Sequence, residues 1–193
     1  STYYQAPLGE TIMAALPAGL KRLSPPQRRS GRTQRPPTAQ PRPQLTAEQA
    51  AVIDAIDIDG GFVPHLLFGV TGSGKTEVYL RLIERALALG QQTLLLVPEI
   101  NLTPQLEARV RARFPEQTIV ALHSELAEAA REAPWLQALR GEADVVLGTR
   151  LSIFTPLPRL GLLLVDEEHD ASFKQQDGMR YSARDLAIVR ARQ

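Results

Sequence analysis

Apolar positions from residue 45 onward fall into segments of two alternating kinds. Thr46-Ala47-Glu48-Gln49 has the spacing of a capping box and is followed by Ala50, Val52, Ile53 and Ile56, so a helix is predicted to start there. The apolar run Pro64–Val70 predicts a buried strand. Val78, Leu82, Ile83, Ala86 and Leu89 then recur at helical spacing, and Gly90 closes that helix. Thr93–Val97 reads as a strand buried on both faces. Leu102–Phe114 suits a helix, Thr118–Leu122 a strand and Glu125–Leu139 another helix. Strands over Ala143–Leu147 and Leu160–Val165, then a helix over Ser182–Arg192, complete the set. Successive strands lie too far apart for hairpins, so the pattern predicts a parallel sheet covered by helices on both faces.

The region before residue 45 behaves differently. Between Glu10 and Glu48 there is no acidic residue but seven basic ones, Lys21, Arg22, Arg28, Arg29, Arg32, Arg35 and Arg42, together with seven of the 15 prolines. A formal net charge of +1 therefore hides two unlike parts: without this stretch, 15 basic residues face 21 acidic ones. A basic, Pro-rich segment without apolar periodicity builds no core, so residues 21–44 are predicted to be a linker. Two readings of it stay open, a solvated tether and a strap that attracts nucleic acid through clustered Arg.

At 193 residues and 44% apolar content the chain is long enough to bury a real core. With no Cys it offers no disulfide, thiolate nucleophile or thiolate-bound zinc. No apolar run approaches the ~20 residues of a membrane span, so no membrane partner is expected. Ser at position 1 suggests a piece of something longer.

Gly69-Val70-Thr71-Gly72-Ser73-Gly74-Lys75-Thr76 fits G-x-x-x-x-G-K-[ST] and lies between a predicted strand and a predicted helix. Glycines let several backbone N–H groups converge on one phosphate chain, and the helix N-terminus adds partial positive charge. Lys75 is the expected partner of the β and γ phosphates of ATP, and the Thr76 hydroxyl a ligand of Mg²⁺. The whole segment, including Val70, Thr71 and Ser73, is assigned to nucleotide binding.

Gly161–Val165 runs into Asp166-Glu167-Glu168-His169. Ligands of open parallel sheets sit at the carboxyl ends of strands, so these acids are expected beside the loop. Asp166 is placed to hold Mg²⁺ through its hydration shell, and Glu167 to deprotonate an attacking water. His169 is taken as a further catalytic candidate, with simple hydrogen bonding as its alternative. Loop, acids and strand–helix alternation together predict an α/β fold of P-loop NTPase (RecA-like) type.

These motifs, in this order, resemble the first motor lobe of superfamily 2 helicases, and among them the bacterial replication-restart DNA helicase family. The likeness spans residues 45–193. It rests on Gly69–Tyr79, Val97–Ile100 with Leu102–Gln105, Leu122–Ser124, Gly148–Arg150 with Phe154–Pro156, Asp166–Asp170, and the stretch from Lys174 to Ala187. The resemblance implies an ATP-dependent 3′→5′ DNA helicase of replication restart and primosome assembly, cytoplasmic and nucleoid-associated. Its implied partners are single-stranded or forked DNA, primosome proteins and single-stranded DNA-binding protein. Gln49 falls where such helicases read adenine. Thr103, Thr149 and Arg150 become candidates for phosphate contacts along a DNA track. Phe173 and Tyr181 are candidates to stack bases while Lys174 and Arg180 meet phosphates; the alternative makes both aromatics core residues that pin a loop.

Residues 1–20 resemble the end of the family's N-terminal DNA-binding domain. The family's winged-helix domain has no counterpart before the motor, Met179 stands where an aromatic is usual, and Asn101 replaces a Gly. The second motor lobe, with its arginine finger and zinc-binding cysteines, is expected beyond Gln193. The chain alone is accordingly expected to hydrolyse little ATP. A DNA-fork-binding scaffold with a dispensable motor, and another superfamily 2 translocase or RNA helicase, are the competing readings.

Overall fold

Four short strands rich in Leu, Val and Ile build the central sheet: β1 (Gln92–Leu96), β2 (Ile119–Leu122), β3 (Val145–Gly148) and β4 (Leu160–Val165). Their order is β2-β3-β1-β4, and every ladder is parallel. The computed structural model describes residues 9, 12–13, 16–21, 42–70, 72–123 and 126–193. Around the sheet lie α1 (Ala47–Ala55), α2 (Lys75–Ala88), α3 (Pro104–Arg113), α4 (Glu128–Leu139) and α5 (Ala183–Ala191). Two short antiparallel strands, β5 (Lys174–Gln175) and β6 (Tyr181–Ser182), pair as a hairpin.

Alternation along the strands sends neighbouring side chains to opposite faces and fills two cores. Leu94, Leu96, Val120, Leu122 and Val146 meet Trp135 and Ala138 of α4 and Ala183 and Ala187 of α5. Leu95, Ile119, Val145 and Leu147 meet Leu80 and Ile83 of α2, and Val110 with Phe114 at the end of α3. Every residue of β1 and β3 is buried, so these strands feed both cores at once. The predicted α/β architecture, a parallel sheet with helices on both faces, is therefore the observed one.

Local signals explain the helix ends. Thr46 caps α1 by accepting from Gln49 N, while the Gln49 side chain accepts from Thr46 N, as the capping-box spacing predicted. Thr103 caps α3 and Ser182 caps α5. α3 begins at Pro104 rather than Leu102, because Glu99–Asn101 forms a separate 3-10 turn. α4 begins at Glu128, three residues later than expected.

The strand predicted over 64–70 is not formed. Leu66, Phe68 and Val70 are exposed, Phe68 to 92%, while Leu67 packs against the cluster of Ile53, Val78 and Leu82. A strand needs a ladder partner as well as an apolar sequence, and among the described residues none pairs with this segment. β4 pairs only with β1, so its other edge carries no ladder among the described residues.

Of the predicted linker, residues 22–41 lie outside the described residues, as does most of 1–20. Its carboxyl end is fastened to α2: Arg42 pairs with Glu84 at 2.6 Å, and Arg81 donates to Pro43 O at 3.1 Å. Leu16 and Leu20 pack against the core beneath α4 and α5.

Candidate nucleotide site at the carboxyl rim of the sheet

The loop before α2 turns through Gly72 and Gly74, both at φ 84°, a region that L side chains rarely adopt. Gly74 is also crowded, since a Cβ there would collide with the Gln49 amide. Ser73 N donates to Val70 O at 3.1 Å, and Glu77 N to Gly74 O at 2.9 Å, so the loop passes directly into the first turn of the helix. Thr71 lies outside the described residues.

Gln49 reaches this loop from α1. Its Nε2 donates to Ser73 O at 3.1 Å while its Oε1 holds Thr46 N. The capping part of its expected double role is thus observed, and the same amide braces the loop.

Lys75 opens α2 and donates to Gly69 O at 2.9 Å; its ammonium also lies 3.3 Å from Glu167 Oε1. Glu167 adopts φ 47°, the only positive φ of a non-glycine among the described residues. Such backbone costs on the order of 1–3 kcal/mol and persists only where surroundings enforce it. Here Asp170 N closes a turn on Glu167 O at 2.9 Å, and the Lys75 ion pair holds the side chain.

Asp166 is fixed from two sides. Its N–H donates to Leu96 O at 2.9 Å, continuing the β1–β4 ladder, and its Oδ1 accepts from the Tyr79 hydroxyl at 3.0 Å. Tyr79 is 9% exposed, and burial reinforced by Asp166 and Glu167 pushes its phenol well above the ordinary range, so it is a donor. Thr76 is half-buried in the first turn of α2. Among the described residues no group of three or more His, Asp or Glu forms a metal cage. One carboxylate, one hydroxyl and a glycine-lined turn instead suit an ion that brings its own phosphate and water ligands, as Mg²⁺ with ATP does. The residues present fit that pair.

His169 is 75% exposed, with Nε2 at 3.8 Å from Glu167 Oε2, beyond hydrogen-bonding reach. Glu168 points elsewhere and pairs with Arg184 of α5 at 3.0 Å, which ties the acid turn to that helix.

Most of the residues expected to meet DNA gather around the β5–β6 hairpin, though few present free side chains. Thr103 spends its hydroxyl as an N-cap, accepting from Leu106 N at 3.3 Å. Thr149 is buried at the start of the 3-10 turn Arg150–Phe154. Arg150 turns inward and donates to Ser172 O at 2.9 Å and to Lys174 O at 3.3 Å. Lys174 and Arg180 are exposed on the β5–β6 hairpin. The stacking role considered for Phe173 and Tyr181 is corrected: they are 1% and 5% exposed. Phe173 fills the core, and Tyr181 meets Phe154 edge-on at 5.0 Å between centroids, so neither offers a ring face to a base. Burial pushes the Tyr181 phenol up to about 12, against the opposing pull of Arg150.

Sequence reasoning passed over the roles of Tyr79 and Arg184. Tyr79 had a signal, since it lies four residues after Lys75 and therefore one helical turn along the same face. Arg184 had none, because the pair with Glu168 exists only once α5 has folded back against β4.

A phosphate-loop helix facing an acid turn at the rim of a parallel sheet defines a nucleotide-hydrolase class. A sequence profile of the DEAD/DEAH box helicase family matches residues 46–193, and the chain belongs to that family. It is 49% identical over 153 residues to the replication restart protein PriA of Haemophilus influenzae, a match covering 79% of this chain and 21% of that protein. The PriA proteins of Synechocystis and Bacillus subtilis are 50% identical over 150 residues and 46% over 151, covering 77% and 76% of this chain and 18% of each relative. The chain spans about a fifth of the length of these curated relatives. Among the described residues no helix is long and apolar enough to cross a membrane.

Proposed function

We propose that residues 45–193 are the ATP-binding first motor lobe of a DNA helicase acting in replication restart and primosome assembly. The observation that carries this reading is the 3.3 Å pairing of Lys75 with Glu167, from segments distant in sequence, beside an Asp166 held by the Tyr79 hydroxyl. The resemblance of the ordered motifs to replication-restart helicases supplies the finer parts. These are 3′→5′ movement on single-stranded or forked DNA, primosome proteins and single-stranded DNA-binding protein as partners, and a cytoplasmic, nucleoid-associated setting. Residues 1–20 and 21–44 are read as the end of a DNA-binding domain and a basic linker. The same resemblance assigns zinc to a second lobe.

Bound ATP with Mg²⁺ supplies the γ-phosphoryl chemistry. Lys75 exchanges Glu167 and Gly69 O for phosphate oxygens, and the loop N–H groups orient them. Release from Lys75 frees the Glu167 carboxylate to accept a proton from water, with His169 close enough to influence it. Thr76 and Asp166 would hold the hydrated cation. Lys174 and Arg180 meet the DNA backbone, backed by Thr103, Thr149 and the inward Arg150.

The test is Lys75→Ala in the intact protein, scored for DNA-stimulated ATP hydrolysis and fork unwinding. Both should be lost. Unwinding that survives would overturn the assignment.

A further inference from the structure

Two residues of α2 one turn apart face two consecutive residues of the acid turn. Lys75 meets Glu167, and Tyr79 meets Asp166. Lys75 belongs to the phosphate-loop motif, but Tyr79 does not, and packing alone does not account for its hydroxyl. A buried phenol placed only to fill volume would do better as Phe, because an O–H removed from water costs free energy unless it is bonded. This hydroxyl is bonded, and to one oxygen of the carboxylate nearest the end of β4.

The consequence for Asp166 is geometric. Its backbone is held by Leu96 O, and its Oδ1 is committed to Tyr79 at 3.0 Å, which restrains rotation of the side chain and leaves the other oxygen without a hydrogen bond among the described residues. We propose that Tyr79 is a positioning residue that fixes the Asp166 carboxylate, reserving Oδ2 for the hydrated Mg²⁺ of the nucleotide. The proposal rests on the nucleotide reading above. Outer partners that orient a ligating carboxylate typically change metal affinity roughly 10- to 100-fold when lost. Because Tyr79 and Thr76 share one helix, the same hydrogen bond also keeps the two cation-facing groups in register.

The experiment measures binding of a fluorescent ATP analogue to the intact protein with Mg²⁺ and with chelator, in wild type and Tyr79→Phe. The phenylalanine variant should keep the Mg²⁺-free affinity and lose roughly 10-fold of the Mg²⁺-dependent gain. The Mg²⁺ concentration for half-maximal hydrolysis should rise in parallel. Replacing Tyr79 with 4-aminophenylalanine, which keeps a donor in place, should restore the gain. 4-Methylphenylalanine, which fills the volume without donating, should not, and it serves if the phenylalanine variant fails to fold. In an Asp166→Asn background, Tyr79→Phe should remove no further Mg²⁺-dependent gain, whereas a merely structural role would remain additive. An undiminished gain in a folded, donor-free variant would overturn the inference alone. A wild type with no Mg²⁺-dependent gain would overturn the nucleotide reading and this inference together.

Discussion

The ammonium of Lys75 lies 3.3 Å from Glu167 Oε1 and 2.9 Å from Gly69 O, so one cation joins the phosphate loop to the acid turn. The partner carboxylate sits on the left-handed backbone of Glu167, which places the ion pair at a point of local strain.

That pairing separates two kinds of variant. Glu167→Gln removes the proton acceptor but keeps the shape, so hydrolysis should fall about 10²–10⁴-fold while nucleotide affinity stays within about 3-fold. Lys75→Ala should instead weaken affinity by at least about 10-fold. Fluorescent-nucleotide titration alongside phosphate-release kinetics checks both. Equal loss of binding in the two variants would contradict the division of labour.

Gly74 and Gly72 share φ 84°, but only Gly74 has a neighbour in the way of a Cβ, the Gln49 amide. Gly74→Ala should therefore destabilise the fold more than Gly72→Ala, the first by about 2–3 kcal/mol and the second by about 1 kcal/mol. Adding Gln49→Ala should recover part of the difference. Urea denaturation of the four proteins measures it.

On and just before the hairpin, buried and exposed residues should behave as opposites. Phe173→Ala empties a core site and should cost about 3–5 kcal/mol in stability. Lys174→Ala and Arg180→Ala should leave stability within about 0.5 kcal/mol, yet weaken single-strand binding and flatten its salt dependence. DNA affinity unchanged across a salt series in the double variant would remove the hairpin from the proposed track.

The buried Tyr181 gives a pH signature. Desolvation dominates, Glu99 adds to it and Arg150 opposes it, leaving the phenol near 12 against 10 when unfolded. The folded state thus holds this proton more tightly than the unfolded state. Its contribution to stability is complete below pH 10 and is lost as pH rises from about 10 to about 12. Tyr181→Phe should flatten the alkaline limb of a stability–pH curve in that window, read by denaturation at fixed urea.

The legible parts of the sequence were those governed by local rules. The capping box at Thr46 and the leucine and valine strands of the sheet announce themselves within a few residues, the strands lying within two residues of the expected bounds; the glycine-rich loop opens α2 as expected, but no strand leads into it among the described residues. The failures share a different cause. Pro64–Val70 carries a strand's composition but lacks a ladder, and pairing is a property of neighbours rather than of the segment. Phe173 and Tyr181 look identical in sequence whether they stack on bases or fill a core, and only the return of α5 against the sheet decides the matter. Tyr79 lay in plain view at helical spacing from Lys75, but its partner Asp166 is 87 residues away.

The ladders align Leu122 with Gly148, Gly148 with Leu96, and Leu96 with Val165, so all four strands end flush. The chain leaves the sheet from one rim, with Asp166, Thr149 and the turn before α3 starting at a common level. Tolerance to added length should therefore be lopsided. A glycine inserted into the turn at 115–117, at the opposite rim, lengthens only a surface bend. The same insertion inside β1 would lift the Asp166 anchor at Leu96 out of step with its neighbours and disarrange acid turn and loop in a single stroke.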